Sequence, residues 1–411
     1  MDIKKIYLKD FLIYIGIALL PFQIFSIKIN SHYDLSSIIL MLSLLLIFLN
    51  IDNNFRFKID KKYLIYLFLF LLVQIILFIF NEASILRLLS GLAWIGSLLF
   101  LYMVKDKLNL NFKLVKNILL HSAFLSSLMI IIQMLVLNYD RPPAFFTEPS
   151  YAGLFFYSIS AACFGMTFFS INDSILRKKI YFAFSIFFLI IAFTTKSMHF
   201  VSFLIFYLTL FICSFFKKKL FSFKYLLISI LFFVIIAFIS FTFGFQKHFL
   251  NNLSVFDISN ASQSLLTWLL GLDQCIAALS KNPITGLGLG STGSFNFNSD
   301  YFNYLAKYSE TNNLTDAYAG FFRIVIEMGI IFGLCLIYLL VKSINNIFSD
   351  LFVFNDNLKN LDLLFVRIFS STMFIGILLK EPTYSRSVFY VGIFLFILSS
   401  YHSKKSKSHT L

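Results

Sequence analysis

The chain has 411 residues, of which 59% are hydrophobic and 13% are charged, and its net charge is +14. Soluble domains are about 25% charged, so these few charges could not cover the surface of a water-soluble protein of this length. The composition therefore excludes a disordered chain, a secreted disulfide scaffold and a soluble enzyme, and it predicts a polytopic membrane protein.

The apolar runs predict membrane-spanning helices along the whole chain. A span needs about 20 mostly apolar residues, so about 12 helices would use about 240 residues. None of the runs alternates with a period of two, which excludes a membrane β-barrel. We predict an all-α polytopic bundle forming one integral membrane domain, residues 1–411. Its spans are 11–29, 35–49, 63–80, 85–104, 115–137, 151–171, 180–195, 198–216, 224–245, 318–341, 362–379 and 386–401.

The basic residues predict the topology. With the N-terminus in the cytoplasm, most of the 34 Lys and Arg residues fall in cytoplasmic segments, loop by loop. Both termini are then cytoplasmic, and residues 402–411 form a basic cytoplasmic tail. Residues 246–317 form one long periplasmic or extracellular loop, with an amphipathic helix over Ser262–Ser280. Because the basic residues serve topology, we expect no nucleic-acid partner.

The four cysteines and the acidic residues give no metal or redox signature. Cys163, Cys213, Cys275 and Cys335 show no CxxC spacing and are interpreted as small buried or apolar-run residues. No HExxH motif or Asp-rich cluster lies in the outside segments, so we predict no catalytic metal and no cofactor.

The segment from Arg141 to Gly153 holds the first group of candidate site residues. Three prolines stiffen it, Arg141 offers a planar donor fork suited to phosphate, and Glu148 precedes an apolar helix that Ser150 could cap. A capped, salt-bridged turn is the alternative interpretation.

Other polar residues on the outside are candidates for binding an anionic substrate. Lys196 and His199 lie in one tight connection, and Lys380 and Arg386 in another. Lys196 could instead be an interfacial anchor, His199 a base or an interfacial residue, and the 380–386 charges a local salt bridge.

The remaining candidates are a charged pair, a Gly-rich turn, two arginines within spans and the acidic residues that could act as a base. Arg323 and Glu327 are four residues apart and share a helix face, either orienting a site or satisfying each other. The turn Gly286–Gly290 permits a tight backbone path or a phosphate cradle. Arg87 and Arg367 fall within spans, and each of them could either orient a site or form a purely structural pair. The candidate bases are Glu148, favoured by its fixed position, then Asp316, with Glu82 and Glu310 also present.

Three motifs in this order carry a resemblance to a known family. They are the run from Arg141 to Gly153 with its Glu-Pro-Ser, the Pro-x-x-Gly-x-Gly segment over 282–290, and the Glu-x-Gly opening over 327–333. In a chain of this topology they resemble the O-antigen polymerase (Wzy-like) family, within the wider polymerase and ligase superfamily. The ligases usually carry a His-Asn pair where residues 312–318 have no His. Many relatives also carry an Arg near the start of the helix at 262–280, which has no basic residue here.

The resemblance implies a function. It implies a GT-C-like, metal-independent glycosyltransferase of the bacterial cytoplasmic (inner) membrane that joins undecaprenyl-pyrophosphate-linked oligosaccharides on the outer face. Its partners would be these lipid-linked glycans, membrane lipid and a chain-length regulator. Catalytic roles would fall to Glu148, Arg141 and Asp316. Substrate binding would involve Lys196, His199, Tyr318, Arg323, Glu327, Lys380 and Arg386. An O-antigen ligase and a lipid-linked oligosaccharide flippase or transporter remain the alternatives.

Overall fold

The fold is known from a computed structural model. It describes residues 8–24, 26–29, 31–49, 61–80, 85–105, 108, 110–169, 175–197, 199, 203, 263–293, 295, 297–307, 317–352, 361–380 and 386–408. The predicted spans 198–216 and 224–245 therefore lie outside the described residues, except for positions 199 and 203.

The described part of the chain consists of helices, one short hairpin and the turns and connections between them. In the first half the helices are α1 Leu8–Ala18, α2 Leu35–Leu49, α3 Lys61–Phe80, α4 Ile85–Val104, α5 Phe112–Leu135, α6 Pro149–Phe169 and α7 Ile175–Thr194. In the second half they are α8 Gln263–Lys281, α9 Asp300–Lys307, α10 Gly320–Met328, α11 Ile330–Phe352, α12 Leu361–Lys380 and α13 Ser387–Ser408. A 3₁₀ turn covers Ser291–Gly293.

Two predicted spans differ from the helices that form. The span predicted over 11–29 is helical only to Ala18, because Pro21 cannot continue the backbone hydrogen bonds of a helix. Strands β1 Ser26–Ile29 and β2 Ser31–Asp34 then pair antiparallel before α2. The span predicted over 318–341 is broken at Gly329 into α10 and α11. The amphipathic helix predicted over 262–280 is confirmed as α8.

Helices α6, α12 and α13 form the centre of the bundle. Every residue from Tyr151 to Met166 in α6 is buried, as is every residue from Leu363 to Leu378 in α12. A helix that is apolar on all sides is buried either among other helices or within a membrane, and here other helices surround α6 and α12. Ser160 and Ser185 join α6 to α7 through reciprocal hydroxyl-to-carbonyl bonds of 2.8 and 3.0 Å, which lets these two helices approach closely.

The outer helices leave large apolar side chains uncovered. Phe80 on α3 is 80% exposed, Leu135 on α5 is 77% exposed, and Ile331 to Val341 on α11 include several exposed residues. By length and composition, α5 and the Leu361–Leu379 part of α12 could each cross a membrane. The apolar window of α5 is 39% buried and that of α12 is 89% buried, so α5 is the one with an uncovered apolar face.

The helices place two sets of termini at opposite ends of the bundle. At one end, Lys116 on α5 forms an ion pair with Asp362 on α12 and donates to Tyr181 on α7 at 3.2 Å. These three residues lie near the starts of their helices. The opposite end therefore holds the last turns of α5, α7 and α12 and the first turns of α6 and α13.

Candidate functional site

The connection between α5 and α6 is fixed by a buried glutamine on α5. The side-chain amide of Gln133 donates to the carbonyl of Ala144 at 2.9 Å, and its carbonyl oxygen accepts from the Ala144 N–H at 2.8 Å. Ala144 has φ +54°, a conformation that costs an L-residue about 1–2 kcal/mol. The two hydrogen bonds of Gln133 offset that cost, so the connection has one defined path.

A second buried glutamine fixes the same connection from the N-terminal side. Gln23 Oε1 accepts from Thr147 N at 3.3 Å and from Thr147 Oγ1 at 3.0 Å. Gln23 Nε2 donates to Ser387 Oγ at 3.0 Å. Gln23 thus joins the end of α1 to the start of α13 and to the residue that precedes Glu148.

Glu148 lies at the N-terminus of α6 and is exposed. Its carbonyl accepts from the N–H groups of Tyr151 and Ala152, and Pro149 occupies the first helical position, where no N–H is needed. The predicted cap by Ser150 is wrong, because the Ser150 hydroxyl donates instead to Glu148 Oε2 at 3.1 Å. The positive end of the helix dipole favours a carboxylate here. Among the described residues, only Ser150 contacts this carboxylate.

Arg141 and Lys196 meet at the short segment that follows α7. Lys196 belongs to this segment, and Arg141 is bonded to it. Arg141 Nε donates to the carbonyl of Thr195 at 3.4 Å, and the side chain is exposed. Lys196 is the next residue, and its Nζ lies 2.5 Å from Asp140 Oδ1. Ser197 Oγ donates to the carbonyl of Ser150 at 3.4 Å, which places this segment beside the first turn of α6.

His199 lies on the same side of the bundle but is buried. Its N–H donates to Ser197 Oγ at 3.3 Å. A Cβ added at Gly376 on α12 would lie 3.2 Å from His199 Nδ1, so the imidazole packs against that helix. The ring is 2% exposed, which fits a group between helices better than a base facing solvent.

Arg386 pairs with a residue far away in sequence. Its Nη1 lies 3.5 Å from Asp34 Oδ1, and the Ser387 N–H donates to Asp34 Oδ2 at 2.7 Å. The guanidinium lies over the Tyr151 ring at 5.6 Å. Burial raises the pKa of Asp34, and its hydrogen bond from Ser387 and the charge of Arg386 only partly oppose that rise. Asp34 is thus a described partner of Arg386, whereas the salt bridge predicted within 380–386 would need Glu381, which lies outside the described residues.

Arg323 and Glu327 share a face of α10, as predicted, and form a buried ion pair. Arg323 Nε lies 3.1 Å from Glu327 Oε1, and that oxygen also accepts from Thr292 Oγ1 at 2.7 Å. Gln274 on α8 donates to the carbonyl of Thr292 at 2.7 Å. The described contacts of the pair thus join α10 to the 3₁₀ turn, which α8 in turn holds through Gln274.

The Gly-rich turn after α8 fills the break between α10 and α11. Its N–H groups at Leu287 and Gly288 donate to the carbonyls of Ile326 and Glu327 at 2.7 and 3.0 Å, replacing the bonds that the break removes. Gly286 and Gly329 have φ +68° and +84°. A Cβ at Gly329 would lie 2.0 Å from the Ile284 carbonyl, so only glycine fits.

A buried glutamine on α3 occupies the next amide of this turn. Gln74 Oε1 accepts from the Leu289 N–H at 3.0 Å, and Gln74 Nε2 donates to the carbonyl of Thr285 at 3.3 Å. Because these amides donate within the protein, the interpretation of the turn as a phosphate cradle is wrong and that of a tight backbone path is confirmed.

The remaining candidates lie apart or outside the described residues. Tyr318 is half-buried before α10, with φ +56°. Lys380 ends α12, but its side chain and that of Arg87 lie outside the described part of the chain, as do Glu82, Glu310 and Asp316 entirely. Arg367 is buried within α12.

Sequence reasoning missed the uncharged polar residues that build the site. Gln23, Gln74 and Gln133 each lie inside a predicted apolar run and are buried in the structure. A polar side chain in such a run is costly without a partner, which was a usable signal. The pairing of Asp34 with Arg386 had no such signal, because nothing in the sequence relates two residues so far apart.

Comparisons with known proteins add no assignment. The chain matches no protein-family model, and no curated protein matches its sequence. Within the described ranges, no three His, Cys, Asp or Glu side chains lie close enough together to hold a metal ion.

Proposed function

We propose that the chain is a polymerase that joins undecaprenyl-pyrophosphate-linked oligosaccharide repeat units into O-antigen or capsular polysaccharide. The observation that carries the proposal is the pair of exposed, oppositely charged groups on one clamped connection. The Arg141 guanidinium and the Glu148 carboxylate lie at the two ends of the segment that Gln133 and Gln23 fix. Such fixed groups of opposite charge suit a reaction that removes a proton and releases a diphosphate.

The proposed chemistry assigns each charge a step. The Glu148 carboxylate accepts the proton of the acceptor sugar's hydroxyl, whose oxygen attacks the anomeric carbon of the donor glycan. The bond from that carbon to the pyrophosphate oxygen breaks, and the lipid pyrophosphate leaves with the bonding electrons. Arg141 carries described contacts only to the Thr195 carbonyl, through Nε, so its Nη groups can receive the leaving phosphate.

The proposed location is the bacterial cytoplasmic membrane, with about 12 spans, both ends in the cytoplasm and the site on the outer face. The uncovered apolar side chains on α3, α5 and α11 support a lipid surround. The Lys116 end of the bundle carries the basic clusters around 113–116 and 177–179, which fits the cytoplasmic side.

The decisive experiment incubates the purified chain in lipid vesicles with undecaprenyl-pyrophosphate-linked repeat units and separates the products by length. A ladder of polymers is expected from the wild type. Arg141→Ala and Glu148→Gln are each expected to lose at least about 100-fold in rate, since a positioned base or anion ligand contributes about that much. Matched controls are Lys281→Ala and Asp300→Asn, a cation and an acid elsewhere in the outside loop.

Three outcomes would reject the proposal or its residue assignment. Wild-type ladders from both site variants at equal protein level would reject the assignment. Glycan transferred to a lipid A acceptor with no change in its length would favour the ligase. Movement of lipid-linked units across the vesicle membrane without any elongation would favour the transporter.

The topology is tested separately by cysteine labelling. In a cysteine-free background, Glu148→Cys is expected to react with a membrane-impermeant maleimide from outside intact cells, and Lys179→Cys only after lysis. Both positions are exposed, so access rather than burial decides the result. The reverse pattern would place the site in the cytoplasm and end the polymerase proposal.

A further inference from the structure

Asp140 binds one of the two cations that lie against the end of α7. Lys196 Nζ is 2.5 Å from Asp140 Oδ1, in a pair whose side chains differ sharply in exposure. The Lys196 side chain is 20% exposed, whereas that of Asp140 is 79% exposed. Water can therefore take over the carboxylate if the pair opens, while the lysine stays in its protein surroundings.

The backbone around Lys196 is also more firmly held than the backbone around Asp140. Lys196 belongs to a closed turn, in which its N–H donates to the Phe193 carbonyl at 3.0 Å and its φ is +49°. Asp140 lies in the connection after α5, two residues beyond Asn138 and before the part that Gln133 clamps. The cation is thus fixed, and the carboxylate lies on the more exposed element.

Arg141 completes an anion site on this turn. Its Nε is bonded to the carbonyl of Thr195, so its guanidinium lies against the residue that precedes Lys196. Two adjacent cations match the two phosphate groups of a diphosphate better than they match one phosphate. Asp140 directly precedes Arg141 in the sequence. Its carboxylate supplies the negative charge opposite Lys196 when no anion is bound.

We infer that Asp140 is an internal competitor that occupies Lys196 until a diphosphate displaces it. The inference rests on the proposed function for its physiological ligand, the diphosphate of a lipid-linked glycan, but the competition itself concerns only Arg141, Lys196 and Asp140. Removing the carboxylate frees a cation and removes a repulsion, so it strengthens diphosphate binding. A carboxylate that merely held Lys196 in place would have the opposite effect when removed.

The test measures binding of inorganic pyrophosphate to the full-length protein in detergent by calorimetry. Asp140→Asn is expected to bind about 5-fold more tightly than the wild type, the equivalent of one exposed ion pair. Asp140→Glu keeps the charge and is expected to bind like the wild type. Orthophosphate is expected to bind at least about 10-fold more weakly than pyrophosphate, because it meets one cation at a time.

A double-mutant cycle assigns the effect to Lys196. In the Lys196→Gln background, Asp140→Asn is expected to change pyrophosphate affinity less than about 2-fold, since its target is gone. Asp300→Asn, the same charge change on α9, controls for net charge. Equal or weaker binding by Asp140→Asn overturns the inference, as does the absence of pyrophosphate binding by every variant. Failure of polymerisation with the expected binding would instead reject the proposed function alone.

Discussion

Removing the carboxylate of Glu327 is expected to destabilise the α8–α10 part of the chain strongly. Glu327 is 0% exposed and Arg323 is 5% exposed, so Glu327→Ala would leave a buried cation without its counter-charge. At 3.1 Å the Coulomb attraction is about 5 kcal/mol for an effective dielectric constant of 20, and breaking one partner of a buried pair costs about 3–5 kcal/mol. Thr292 would also lose its acceptor.

Two matched variants separate charge from hydrogen bonding. Glu327→Gln keeps an oxygen that can accept from Arg323 and Thr292, so its loss is expected to be about 1–3 kcal/mol, less than that of Glu327→Ala. The double variant Arg323→Met with Glu327→Leu removes both charges, and we expect it to recover most of the stability because no lone buried charge remains.

The assay is detergent unfolding followed by the fluorescence of Trp268. Its ring lies 5.0 Å from Phe322 on α10, so its emission reports the packing of this cluster. Trp94→Phe removes the other tryptophan of the chain. A Glu327→Ala protein as stable as the wild type, or a double variant less stable than either single one, would refute the reasoning that the pair is a buried, mutually compensating unit.

Three further predictions concern other parts of the molecule. Gln23→Leu is expected to lower the polymerisation rate about 10-fold at an unchanged donor KM, because the connection carrying Glu148 loses anchoring hydrogen bonds of about 1 kcal/mol each. Initial rates in vesicles measure this effect, and a variant in which only the KM changes would contradict it. Because the pKa of Asp34 is raised in the folded state, its contribution to stability is present below the unfolded pKa and is lost as pH rises through the folded pKa. The Tm of the wild type minus that of Asp34→Asn should therefore fall as pH is raised from 4 to about 7, and a constant difference would count against this. Burial raises the pKa of Cys275 to about 11, so maleimide at about pH 8 should label this thiol only after unfolding, as mass spectrometry of its peptide would show.

The apolar runs predicted the described helices well where a run forms a single uninterrupted helix. The helices α3, α4, α5, α7 and α12 fall within a few residues of their predicted runs, since each is an uninterrupted apolar segment between polar ends. The prediction was wrong at Gly329, where a hydrophobic window cannot detect a backbone break. That break is stable only because a distant Gly-rich turn supplies the missing donors.

The candidate site was predicted in part. Arg141 and Glu148 were identified by residue type and by their place before an apolar helix, both of which are local properties. The ion pair of Arg386 with Asp34 was not predicted, because the packing of helices brings together two residues that lie far apart in the sequence. Asp140 gave no signal, since its partner Lys196 belongs to a different connection.

The amino-acid sequence alone determined that apolar helices make up most of the described part of this chain and that charged residues collect where those helices end, because hydration free energy depends on residue type. Only the tertiary structure decided which polar groups meet. Gln133 holds the connection before α6, Gln23 joins that connection to the start of α13, and Asp34 accepts a hydrogen bond from the start of α13. These bonds form only when helices distant in the sequence pack together, because hydrogen bonding depends on distance in space and not on position along the chain.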